Sequence, residues 1–155
     1  MMVFRLSFVL LVALNGFASA AEPAEDARLA RFFKSWLDAE AKLRPIDATR
    51  LGDHRFNDRV GDYSPAARAG WIKNWKQTLA ELEKQFDPRK LSRSGQIDLE
   101  IFQHHLRRVI WLSDNLDAHA SDPRVYNDLI SDAVYLPLTQ STLERAVAVK
   151  QVQAR

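Results

Sequence analysis

Apolar residues recur at three- and four-residue intervals through most of this chain. Leu29, Phe32, Phe33, Trp36, Leu37 and Leu43 fall on one face of a helix. Pro45 ends that pattern, since the residue before a proline avoids the helical region, and Pro45 to Leu51 leaves room for one short helical turn. Ser64-Pro65 predicts a new start, with Ser as N-cap and Pro at the first helical position. Trp71, Ile72, Trp75, Leu79, Leu82 and Phe86 carry that second helix to Asp87-Pro88. A third is expected from about Ser94 to Leu116. It is apolar over much of its circumference: Ile97, Leu99, Ile101, Phe102, Leu106, Val109, Ile110, Trp111, Leu112 and Leu116. Such a helix needs neighbours on more than one side. Tyr126, Leu129, Ile130, Ala133 and Val134 predict a fourth, ending near Pro137. Ser141-Thr142-Leu143-Glu144 reads as a capping box that opens a fifth helix running to Arg155. No segment alternates apolar and polar residues as a half-buried strand does. The expected fold is all-α, about five helices in an irregular bundle.

Two expectations follow from the last helix. It carries no Gly, Asn or Pro stop signal, so the chain is expected to be a truncated piece of a larger helical fold. Its apolar residues Leu143, Ala146, Val147 and Val149 need a partner, so an exposed apolar patch is expected along the third and fifth helices.

The N-terminus has a different pattern. One basic residue, Arg5, precedes the apolar run Leu6–Leu14, then Asn15-Gly16, then the small-x-small site Ala18-Ser19-Ala20. This is the three-part layout of a secretory signal peptide, predicting cleavage after Ala20 and an exported, periplasmic or extracellular product. The run is shorter than the ~20 residues that span a bilayer, and no Cys follows it for lipid attachment, so no stable membrane anchor is expected. Residues 1–20 are thus a signal peptide and 21–155 one helical segment.

Charge and cysteine content narrow the chemistry. The chain has 22 basic and 20 acidic side chains, and only Arg5 leaves with the signal. A nearly neutral mature chain argues against a nucleic-acid partner or a polybasic membrane role. With no cysteine, thiol catalysis, Cys-based zinc sites and iron–sulfur clusters are excluded.

Between the first two helices lies the polar connection Leu43–Arg68. Connections of this length without secondary structure are uncommon unless functional. Its residues resemble a known signature: Pro45, Ala48-Thr49, then Gly52-Asp53-His54-Arg55-Phe56-Asn57-Asp58-Arg59, then Asp62-Tyr63-Ser64-Pro65. They are similar to the N-terminal portion of the bacterial domain-of-unknown-function family numbered 885. Leu91-Ser92, Gln96-Ile97-Asp98 and Asp122-Pro123 with Tyr126 extend the resemblance over the mature chain. The resemblance implies a mostly helical, often exported protein related to gluzincin-type zinc metallopeptidases. It also implies a zinc-dependent, carboxypeptidase-like parent whose His-Glu-x-x-His-like motif lies downstream.

That motif is absent here. His54, His104, His105 and His119 are followed by Arg55, His105, Leu106 and Ala120, never by Glu. His104 and His105, adjacent on a helix, diverge by about 100°. Glu100 and His104 share a face, but two ligands fall short of the three or four zinc needs. Asp53, Asn57, Asp58 and Asp62 do not follow calcium-loop spacing, and Arg55 and Arg59 would repel a cation. The acids and arginines are instead expected to tie the loop to itself. The functional alternative places His54, Arg55 and Arg59 on a substrate cleft, the arginines holding a peptide's terminal carboxylate. Trp36, Trp71, Trp75 and Trp111 each lie in an apolar pattern and are expected in the core rather than as a stacking platform.

The sequence therefore predicts a scaffold and cleft-wall segment of an exported peptide hydrolase. No catalytic residue and no cofactor belong to this chain, with zinc expected only in the parent. The expected partners are the missing C-terminal catalytic part and peptide substrate. The alternative is a free-standing periplasmic helical binding or adaptor domain.

Overall fold

The computed structural model describes residues 24–139 and 142–155. Among them the chain is all-α, with no strand. The order is α1 (Ala24–Leu43), α2 (Pro45–Arg50), α3 (Pro65–Gln85), a 3₁₀ turn (Pro88–Lys90), α4 (Arg93–Asn115), α5 (Ala118–Ser121), α6 (Arg124–Thr139) and α7 (Arg145–Ala154). The signal peptide expected over residues 1–20 and its cleavage site lie outside the described residues, as does Ser141. No helix among the described residues is long and apolar enough to cross a membrane.

Local chemistry sets most boundaries. Pro45 both stops α1 and occupies the first position of α2, where its missing N–H costs nothing. Ser64 caps α3 through Ala67 N, as expected. The cap of α4 is Ser92, which accepts from Gly95 N, so the helix starts at Arg93, one residue before the apolar pattern placed it. Asp117 caps α5, a short turn that periodicity did not show.

α6 ends at Thr139, close to the expected end near Pro137, which lies in its last turn. Two expectations are corrected. The predicted capping box does not open α7. Glu144 stands at the N-cap with no side-chain hydrogen bond, so the helix begins at Arg145 and the Glu cannot reach back as a third-position residue would. Trp111 is 60% exposed rather than buried, because it lies on the face of α4 turned away from the core.

α1, α3 and α4 enclose the core. Leu29, Trp71, Trp75, Leu82, Phe86, Leu91, Leu99 and Leu106 are buried, and Phe32, Phe33, Trp36, Tyr63 and Phe102 pack on them. The ring of Phe102 meets those of Phe33 and Trp36 edge-on, 4.8 and 4.7 Å between centroids, an arrangement that suits the aromatic quadrupole. α2 packs on α1, α6 on α2, and α7 on α6. Gly61 lets the connection fold back over the α1–α2 corner. Its φ is +95°, and a Cβ there would lie 2.9 Å from Pro45 Cδ.

Apolar surface remains exposed on Ile97, Ile101 and Trp111 of α4 and on Val147 and Val149 of α7. The longest stripe is on α6, where Tyr126, Ile130, Val134 and Leu138 recur every fourth residue, all at least 43% exposed. The sequence reading did not assign exposed apolar surface to this helix.

Candidate functional site

The residues of α1 at 34, 37, 38 and 41 share a face, and α2 lies across it. Between the two helices, the start of the connection and His105 of α4 is a cavity of about 490 Å³. Trp36, Leu37, Ala41, Ala48 and Leu51 supply its apolar wall, and Lys34, Asp38, Asp53 and Arg55 stand among its charged residues. Leu37 and Leu51 are 51% and 80% exposed. Exposed leucines beside a concave, partly apolar space are what a ligand-binding pocket presents.

The charged residues are linked. Arg55 grips Asp53 through Nε (2.9 Å) and Nη2 (2.6 Å), and the same Nη2 reaches Asp38 of α1 at 2.7 Å. Lys34 donates to Asp38 from one turn away, 2.9 Å. The Lys34 and Arg55 hydrogen bonds hold the Asp38 carboxyl below the usual carboxylate range, and Arg55 does the same for Asp53. The two acids in turn push the Arg55 guanidinium further up. Two cations face two anions, so this part of the site is neutral and shaped, not a cationic clamp.

Deeper in, the carboxylate of Glu40 is buried. It accepts from Trp75 Nε1 (3.2 Å), Arg44 Nε (3.1 Å) and Asn74 Nδ2 (3.4 Å). The Arg44 guanidinium also pairs with Asp47 (3.2 Å) and lies 5.4 Å from the Trp75 ring. Asp47 binds Arg50, and Arg50 reaches Asp132 of α6 at 2.6 Å. A polar chain therefore runs from α3 through α1 and α2 to α6, each buried charge meeting a partner, as burial requires. His105 is half-buried in the cavity wall, its ring edge-on to Trp36. Burial, then the neighbouring Arg108, Arg44 and His104, lower its pKa and favour the neutral imidazole.

The three residues proposed from sequence do not converge. Arg55 lines the cavity. Arg59 is exposed, with Asp58 at 3.7 Å, and shares with Arg55 only the Phe56 ring. His54 turns to Asn57, whose Nδ2 lies 3.1 Å from its Nδ1. Asn57 is itself fully buried against the Thr49 hydroxyl, 2.7 Å. Sequence reasoning missed Lys34, Asp38, Glu40 and His105. The spacings Lys34–Asp38 and Glu40–Arg44, four residues apart on a helix, were the available signal.

Among the described residues, no group of three or more His, Asp or Glu side chains is placed to hold a metal ion. His104 is exposed, and His119 stacks edge-on to Tyr126. The described histidines thus form no zinc site of their own, and the zinc motif that the resemblance implies belongs to the parent, downstream of these residues.

Residues 45–154 match the family described as bacterial protein of unknown function (DUF885). The chain belongs to the DUF885 family. The match takes in α2, the connection with Arg55, and His105, while the α1 side of the cavity wall, Lys34 to Arg44, lies before it. No curated protein and no solved structure matches the chain.

Proposed function

We propose that this DUF885 chain forms the scaffold and one cleft wall of an exported, zinc-dependent, carboxypeptidase-like peptide hydrolase, with the catalytic residues outside this chain. The observation that carries the reading is the cavity between α1 and α2. The segment Asp47–Arg55 supplies Asp47, Ala48, Leu51, Asp53 and Arg55 to its wall, beside the open leucines Leu37 and Leu51. A peptide suits such a space. An apolar side chain covers Leu37 and Leu51, and the peptide's polar groups meet a neutral set of paired charges that offers both donors and acceptors. Arg55, already held by two carboxylates, orients the connection and does not capture a free carboxylate by itself.

The chain has no His-Glu-x-x-His sequence, so binding and hydrolysis separate in this reading. Calorimetry with short peptides bearing a large apolar side chain is expected to show weak, saturable binding that Leu51→Asp abolishes. Incubation of the same peptides with the chain and zinc is expected to leave them intact. Absence of binding would remove the cleft-wall role. Hydrolysis by the chain alone would place catalytic residues within it.

A further inference from the structure

Pro137 lies inside α6 and has no N–H. The carbonyl of Ala133, four residues earlier, therefore has no helical donor from that position. Arg155 supplies one instead, its Nη1 lying 2.5 Å from Ala133 O. The same guanidinium donates through Nε to Asn57 O (2.6 Å) and through Nη2 to Thr49 Oγ1 (2.9 Å). One side chain thus joins α7, the gap in α6, α2 and the connection after α2. All three acceptors are neutral oxygens, so geometry and not ion pairing selects this contact. Asn57 passes the contact on, because its side chain bridges Thr49 and His54.

We propose that Arg155 is a latch: by occupying the acceptor that Pro137 opens, it makes α6, α7 and residues 48–58 a single cooperative unit. The unit meets the α1–α3–α4 core through α2, which packs on α1 on one side and on α6 on the other. Because residues 48–58 include Ala48, Leu51, Asp53 and Arg55, the latch sets the shape of the cavity wall from a residue that does not line it. Arg155 is a positioning residue in this arrangement.

Native-state hydrogen exchange in sub-denaturing urea tests it on the intact chain. The hydrogen-bonded amides of Asp53, Asn57 and Arg59 are expected to open together with those of α6 and α7, at lower urea than α3 and α4. Arg155→Ala is expected to raise exchange at Asp53, Asn57 and α6 at least tenfold and to leave α3 and α4 within twofold. Arg155→Lys is expected not to restore protection, since an ammonium lacks the planar fork that reaches three acceptors. Pro137→Ala in the Arg155→Ala background returns a donor to Ala133, so it is expected to recover α6 but not Asn57. Unchanged exchange at Asn57 in Arg155→Ala overturns the proposal, as does an equal rise throughout α3 and α4. Should Arg155→Ala fail to fold, the wild-type profile decides: separate opening of the connection and α7 rejects the latch.

Discussion

Asp26 of α1 takes the place of solvent at the N-terminus of α4 by accepting hydrogen bonds from Ser92. The carboxylate is buried, with the Ser92 amide at 2.9 Å and the Ser92 hydroxyl on its other oxygen. That hydroxyl accepts in turn from Gly95 N, so one serine caps its own helix and anchors a carboxylate from another. An acid at a helix N-terminus also meets the positive end of the helix dipole. The arrangement leaves no space at Gly95, where a Cβ would lie 2.7 Å from Asp26 Oδ1.

Gly95→Ala is therefore expected to destabilise, against the usual rule that Ala improves a helix by about 0.5–1 kcal/mol over Gly. The loss should be roughly 1–3 kcal/mol, the scale of overpacking. Urea denaturation measures it. A gain in midpoint would show that Asp26 moves aside freely.

Glu40→Ala removes the acceptor shared by Trp75, Arg44 and Asn74. Breaking a buried charged pair from one side typically costs about 3–5 kcal/mol. The partly exposed Arg44 keeps Asp47, so the lower end, roughly 3 kcal/mol, is expected. Glu40→Gln should recover part of it, because a carbonyl still accepts from the Trp75 indole. Chemical denaturation of both variants checks the order.

His105 makes stability depend on pH with a defined sign. Its folded pKa is depressed by burial and by nearby cations, so the unfolded chain takes up the proton first. The contribution is fully present above pH ~6.5, the unfolded value, and is lost as pH falls through the lower folded value. His119 shifts the same way for the same leading reason. Melting temperature should drop from pH 7 to pH 5, and His105→Gln should flatten part of that drop. An identical slope in the variant would mean that His105 is not held neutral.

Export is expected from residues 1–20. Expressed with its leader in a Gram-negative host, the secreted product should begin at Ala21. Retention of Met1 in a membrane fraction would contradict cleavage after Ala20.

The main helices were legible because their faces are periodic and their caps are spelled out, as at Ser64-Pro65. α5 was not, since a four-residue turn has no period to read. Pro137 marked the end of α6 to within two residues, but not the donor that reaches the carbonyl it frees, since Arg155 is 18 residues away in sequence. Trp111 misled because helical spacing shows that a face is apolar, not that a neighbour covers it. Of the candidate cavity residues, Arg55 stood out in the sequence through its loop, while Lys34, Asp38 and Glu40 read as ordinary helix-surface charges. Only the packing of α2 across α1 turned them into cavity residues.

The proposed role requires the cavity between α1 and α2 to receive peptide. Chemical-shift mapping on the isotope-labelled chain, during titration with a short peptide carrying one large apolar side chain, tests it most directly. Saturable shifts are expected at Leu37, Ala41, Ala48, Leu51, Arg55 and His105, absent in Leu51→Asp. Saturable shifts confined to the exposed stripe Tyr126–Ile130–Val134–Leu138, with the cavity residues silent, would contradict it.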